Sequence, residues 1–96
     1  MIDLRPDHLS LVRDILRAGA PGCEVWVFGS RAQGKAKPMS DLDLAIVCPQ
    51  KTDPMLIENL RDAFDDSPLP IKVDLVDWAR TDEAFRRIIE EQKIIL

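Results

Sequence analysis

Two apolar runs, joined by a glycine turn and a cationic stretch, constrain this chain more than any other feature, because the second run opens on paired acids. Val25-Trp26-Val27-Phe28 leads into Gly29-Ser30-Arg31-Ala32-Gln33-Gly34-Lys35-Ala36-Lys37-Pro38-Met39-Ser40, and the next run begins Asp41-Leu42-Asp43. The connecting stretch carries Arg31, Lys35 and Lys37 and no acid. If Asp41 onward is a β-strand, alternate side chains face opposite ways. Asp41 and Asp43 then share one face roughly 6.6 Å apart, at about 3.3 Å of rise per residue, and Leu42, Leu44 and Ile46 take the other. Two neighbouring carboxylates at the start of a buried strand repel, and each pKa rises unless a cation lies between them. A hard divalent ion such as Mg²⁺ answers that need, because it takes carboxylate oxygens together with substrate phosphates. On the other side of the turn, Gly29 has no side chain to block an approach, and Ser30 offers a hydroxyl and backbone N–H groups to an anion. The stretch reads as a phosphate grip followed by a metal grip. A Gly-Ser pair alone commonly marks a turn, and an Asp-x-Asp alone is no more specific; their order between two apolar strands carries the reading.

Size and composition bound the rest. With 96 residues, 46% of them apolar, and a net charge of -4, the expectation is one domain, 1–96, burying roughly two-thirds of its unfolded surface. No apolar stretch approaches the roughly 20 residues needed to span a bilayer, and the N-terminus lacks a basic-then-apolar leader, so a cytoplasmic location is expected. The balance of 17 acids against 13 lysines and arginines argues against a long nucleic acid as partner, since that binding needs clustered cations. Cys23 and Cys48 fall at the ends of expected strands, with no histidine at metal spacing. Two cysteines are too few for a disulfide scaffold, and the expectation is two reduced, buried thiols.

Residues 6 to 18 read as a helix: Pro6 and Asp7 suit its first turn, Leu9, Val12, Ile15 and Leu16 recur at helical spacing, and Gly19 with Pro21 ends it. His8, the single histidine, reads as exposed on that first turn rather than catalytic. Cys23 to Phe28 reads as the first strand, with Trp26 as a core residue rather than a base-stacking one. The grip segment holds one or two helical turns at most, because Gly34 and Pro38 interrupt it. The second strand is expected over 41–48. Asp53-Pro54 opens a helix whose apolar stripe is Leu56, Ile57, Leu60, Ala63 and Phe64. A third strand is expected from Ile71 to Val76, with Ile71, Val73 and Leu75 facing inward and Lys72 at the surface, opposite them and beside Asp74. Trp78 anchors the next turn, and Thr81 caps a last helix with Ala84, Phe85, Ile88 and Ile89 on its apolar side. The terminal Ile94-Ile95-Leu96 either tucks onto the core or meets another chain; the expectation leans toward a partner or a second copy. The fold class is α/β (α+β), in the order αβ(α)βαβα, with a three-stranded mixed sheet whose one face packs against helices and whose other face carries the acids.

Gly29-Ser30 followed by Asp41-Leu42-Asp43 within apolar flanks resembles the signature of the DNA polymerase beta nucleotidyltransferase superfamily. The fuller run, Gly-Ser-Arg-Ala-x-Gly through Ser-Asp-Leu-Asp-Leu, resembles its minimal nucleotidyltransferase branch, and the likeness extends over most of the chain. It implies a third carboxylate on a following strand, which here is Asp74 in Ile71-Lys72-Val73-Asp74-Leu75-Val76. It also implies catalytic and metal-holding roles for Asp41, Asp43 and Asp74 around two Mg²⁺ ions, and a nucleotide-binding role for Gly29, Ser30 and Arg31. ATP is the implied substrate. Larger members carry a further domain for their acceptor, and these 96 residues contain none. The minimal branch implies instead the antitoxin of a two-gene pair that transfers AMP from ATP to a tyrosine of a HEPN-domain ribonuclease encoded by the adjacent gene. Because Gly29, Ser30, Asp41, Asp43 and Asp74 are all present, catalysis is expected. Two rivals are an antitoxin that neutralises its partner by binding alone, and an adenylyltransferase of a cationic small molecule such as an aminoglycoside.

Overall fold

The computed structural model describes residues 2–50 and 53–96. Helix α1, Pro6–Gly19, starts on a proline that needs no donor and buries Val12 and Leu16. Strand β1, Glu24–Phe28, and strand β2, Leu42–Val47, run antiparallel, in a register that sets Glu24 opposite Val47 and Phe28 opposite Asp43. Helix α2, Pro54–Asp65, is capped as expected, by Asp53 accepting from the Met55 amide, and buries Ile57, Leu60 and Phe64. Of the expected stripe, Ala63 is exposed. Strand β3, Val73–Asp77, then lies parallel to β2. A 3-10 turn, Trp78–Arg80, leads to helix α3, Glu83–Gln92, whose cap is Asp82 rather than Thr81; the Thr81 hydroxyl donates to the Asp77 carbonyl.

The sheet is mixed, as expected, but it has a fourth strand: β4, Ile94–Ile95, pairs antiparallel with β1 and gives the order β3-β2-β1-β4. The three-stranded expectation is corrected accordingly. The terminal apolar residues tuck onto their own sheet, with the Leu96 amide donating to the Val25 carbonyl at 2.9 Å. The backbone of β1 had an open edge, and two β-branched residues close part of it. No helix formed in the grip segment, which is a succession of turns in which the Ala32 amide reaches the Gly29 carbonyl and the Gln33 and Lys35 amides share that of Ser30.

Both sheet faces are covered. On one, Leu42, Leu44 and Ile46 of β2 join Val25 and Val27 against α1 and α2, with Val73 and Leu75 packed at the margin. The other face was expected to carry the acids. It also carries Trp26, Phe28 and Ala45 beneath Ile89 of α3, and Trp78 meets Trp26 edge-on at 4.7 Å between ring centroids. Trp26 is therefore core, as read from the sequence. Phe85 and Ile88, expected on the apolar side of α3, remain substantially exposed. No helix among the described residues is long and apolar enough to cross a membrane.

Cys23 and Cys48 are joined in a disulfide, which corrects the expectation of reduced, buried thiols. The reason lies in the register: the pair beyond Glu24 and Val47 brings the two cysteines opposite each other, 4.2 Å apart at Cα and half-buried, although 25 positions separate them in the chain. Closing a loop of that length stabilises by about 3 kcal/mol on chain-entropy grounds. Reduction, or Cys48→Ser, is expected to lower the melting temperature by at least about 10 °C. Equal melting with and without reductant would show that the bridge contributes nothing.

Candidate active site

The strand register assembles the acids. Asp43 of β2 stands directly beside Asp74 of β3, and Leu42 beside Val73. Adjacent strands lie about 4.8 Å apart, so the third carboxylate reaches the pair from the neighbouring strand. Asp41 precedes β2 by one residue and is exposed, whereas Asp43 is half-buried. Burial raises the Asp43 pKa above its ordinary value, and the negative charges of Asp74 and then Asp41 raise it further. Asp43 therefore lies within the field of both other acids. Lys72 touches Asp74 at 3.5 Å from an exposed position, a weak screened contact.

Gly29 adjoins this cluster from β1. It adopts φ 74, a left-handed conformation that an L side chain resists, and a Cβ there would run into the Asp43 carboxylate. Glycine is required twice over, by the backbone and by the neighbouring acid. Beyond it, neither the Ser30 hydroxyl nor the Ser30 and Arg31 amides have a hydrogen-bond partner among the described residues. Successive unpartnered donors at a turn are the chemistry that receives phosphate oxygens. They follow Gly29 directly in the chain, and Gly29 abuts the Asp43 carboxylate.

Arg31 goes elsewhere. Its side chain is buried at 6% exposure, and its guanidinium makes five hydrogen bonds, all to backbone carbonyls: two to Ser40 and one each to Asp3, Lys37 and Pro38. The Asp3 amide donates back to the Arg31 carbonyl at 2.8 Å. The Arg31 charge, expected to serve the nucleotide, is engaged here by the loop's own carbonyls and that of Asp3: the side chain fastens the loop that ends at Asp41. His8 lies on the first turn of α1, as expected, but it is half-buried rather than exposed. Sequence reading passed over Gln92, whose Oε1 accepts from the Gly29 amide at 3.0 Å; nothing within a few residues of Gln92 signals that contact.

The donor set is all oxygen and suits Mg²⁺ rather than a softer metal. Among the described residues no three acids, histidines or cysteines form a ready cage. Mg²⁺ commonly takes only one or two carboxylates and completes its shell with substrate phosphate and water. The unrelieved negative field on Asp43 fits such an ion. A surface cavity of about 690 Å³ between α1 and Leu96 contains none of these residues.

Comparison with known proteins agrees with this geometry. Residues 23–96 match the family described as Polymerase beta, Nucleotidyltransferase. The chain belongs to that family. It is 44% identical over 95 residues to the probable protein adenylyltransferase MntA of Haemophilus influenzae, an alignment covering 99% of this chain and 83% of that protein. Its fold is similar to a crystal structure of a toxin-antitoxin with AMP-PNP, at a TM-score of 0.76 and 25% identity over 96% of this chain and 72% of that one. It is also similar to the MntA-HpeT toxin-antitoxin carrying the Y104A mutation, at a TM-score of 0.75 and 26% identity over 92% and 70% of the two chains. The chain is a nucleotidyltransferase.

Two outcomes test the site as built. Arg31→Lys, which cannot reproduce the fork of carbonyl contacts, is expected to lower the unfolding free energy of the nucleotide-free protein by about 2 kcal/mol. Unchanged melting with a loss of nucleotide affinity alone would return Arg31 to the phosphates. Asp43→Asn is expected to stabilise the metal-free protein at neutral pH by up to about 1 kcal/mol, discounted for the solvent screening of a half-exposed group. The sign follows from the raised pKa: the folded protein holds the proton more tightly than the unfolded chain, so stability falls as pH rises from the ordinary value of 3.8 through the raised one. The variant's advantage should vanish below that window, as a thermal melt series across pH will read.

Proposed function

We propose that this chain transfers AMP from ATP to a hydroxyl of a partner protein, a HEPN-type toxin encoded beside it, and so acts as its antitoxin. The observation that supports this reading best is the union of three carboxylates with the unpartnered donors of the Gly29-Ser30 turn, in a chain 44% identical to a probable protein adenylyltransferase. In this reading the Ser30 hydroxyl and the amides of Ser30 and Arg31 hold the outer phosphates of ATP. Gly29 lets the triphosphate lie against Asp43 without steric conflict. Asp41, Asp43 and Asp74 hold Mg²⁺, two ions by the family likeness, whose contribution is to polarise the α-phosphate, acidify the acceptor hydroxyl and neutralise departing pyrophosphate.

The reaction balances simply. The acceptor oxygen forms a bond to the α-phosphorus, the bond to the bridging oxygen breaks, and pyrophosphate leaves. The hydroxyl proton passes to Asp74 Oδ or to solvent. A tyrosine is the acceptor that the family likeness suggests. The accessibility of the acids, Asp41 exposed and Asp43 and Asp74 only half-buried at the starts of β2 and β3, suits an acceptor supplied by another macromolecule.

The decisive experiment incubates the partner with this chain, ATP and Mg²⁺ and reads intact mass, with Asp41→Asn, Asp43→Asn alongside. The expected result is one or more AMP units on the partner with the native chain and none with the variant. Full neutralisation of the partner by the variant, with no added mass in either sample, would replace catalysis with inhibition by binding.

A further inference from the structure

The first backbone N–H of the phosphate turn is held from far along the chain. Gly29 donates to Gln92 Oε1 at 3.0 Å across a separation of 63 residues. Gln92 is the last residue of α3 and is half-buried. The helix brings it there because Ile89, fully buried, seats on Trp26, Phe28 and Ala45, and because Phe85 meets Phe28 edge-on at 5.7 Å between ring centroids. Phe28 immediately precedes Gly29, so the packing and the hydrogen bond act on consecutive residues.

The Gly29 peptide is a sensitive place to hold. Its left-handed conformation sets where the Ser30 and Arg31 amides point, and its Cα borders the Asp43 carboxylate. A rotation of this one peptide would change the distance between the donors for phosphate and an acid of the metal grip. We propose that Gln92 is a positioning residue for nucleotide binding: its side-chain carbonyl locks the Gly29 peptide so that the turn and Asp43 engage one triphosphate together. This role rests on the nucleotidyltransferase reading above. The chemistry of a carboxamide suits the place. It accepts the N–H, which a lysine or an apolar residue cannot do, and it adds no negative charge beside Asp43, which a glutamate would. Its Nε2 has no partner among the described residues.

The test compares the native chain with Gln92→Met, similar in length but without the carbonyl acceptor. Three readings are taken: hydrogen exchange of the Gly29 amide by NMR, affinity for a non-hydrolysable ATP analogue with Mg²⁺ by calorimetry, and the KM for ATP against kcat. Loss of one net hydrogen bond of about 1 kcal/mol predicts roughly a fivefold to tenfold rise in the dissociation constant and in KM, with kcat changed less than about twofold. Gly29 exchange should quicken while the melting temperature stays near the native value. Native affinity and KM in the variant would overturn the proposal, as would a fall in melting temperature that accounts for all the loss. Failure of the native chain to bind the analogue, with Gly29 protected by Gln92 all the same, would instead sink the nucleotide reading, and this role with it.

Discussion

A buried guanidinium holds the active-site loop in shape, and the position of Asp41 depends on it. Arg31 reaches the carbonyls of Lys37, Pro38 and Ser40 and, across the molecule, that of Asp3. A charge withdrawn from water is costly unless hydrogen bonds replace its hydration, and here carbonyl dipoles do so without a carboxylate. The loop's polar backbone consequently turns inward, while Lys35, Lys37 and Met39 remain outside. The Ser40 hydroxyl adds a bond from the Lys37 amide at 2.8 Å. A stretch containing Gly34 and Pro38, which could otherwise sample many shapes, delivers Asp41 to the head of β2.

The carboxylate cluster works against folding, and the strand that bears it compensates. Leu42, Leu44, Ala45 and Ile46 are at most 1% exposed. Each large apolar side chain so buried contributes about 1.5–3 kcal/mol, against a penalty at half-buried Asp43 on the order of 1 kcal/mol after solvent screening. Burial therefore wins, and the fold tolerates a locally unfavourable charge arrangement where chemistry needs it. The same two-sided packing determines the direction of the acids. With Leu42 and Leu44 committed to the helical layer, Asp43 must face the other way, and the parallel register with β3 sets Asp74 at its side.

Covering the second face is the task of α3, and this links packing to chemistry. Ile89 over Trp26 and Phe28 anchors the helix, and Arg86 lies over the Trp78 ring at 4.8 Å while donating to the Trp78 carbonyl. The helix end then falls at the glycine turn. The chain leaves it directly into β4, so the last strand and the contact at Gly29 are consequences of one docking event.

Much of the fold and most of the site were legible in the residues. The alternation in Asp41-Leu42-Asp43-Leu44 separates acid from core by the twofold period of a strand, and Asp53-Pro54 opens a helix by local capping chemistry. Gly29 and Ser30 announced a turn, and the structure has one there, with Gly29 in the left-handed region. Each of these signals acts between residues a few positions apart, so the sequence by itself determined them. Asp74 came from family likeness, and the β2–β3 register placed it. Tertiary structure alone decided the Cys23–Cys48 pairing, the inward course of the Arg31 side chain, the strand at Ile94-Ile95 and the Gln92 contact at Gly29. All four join residues whose meeting depends on strand register, loop closure or helix docking. Those are properties of the assembled core, and no local pattern of charge or hydrophobicity encodes them.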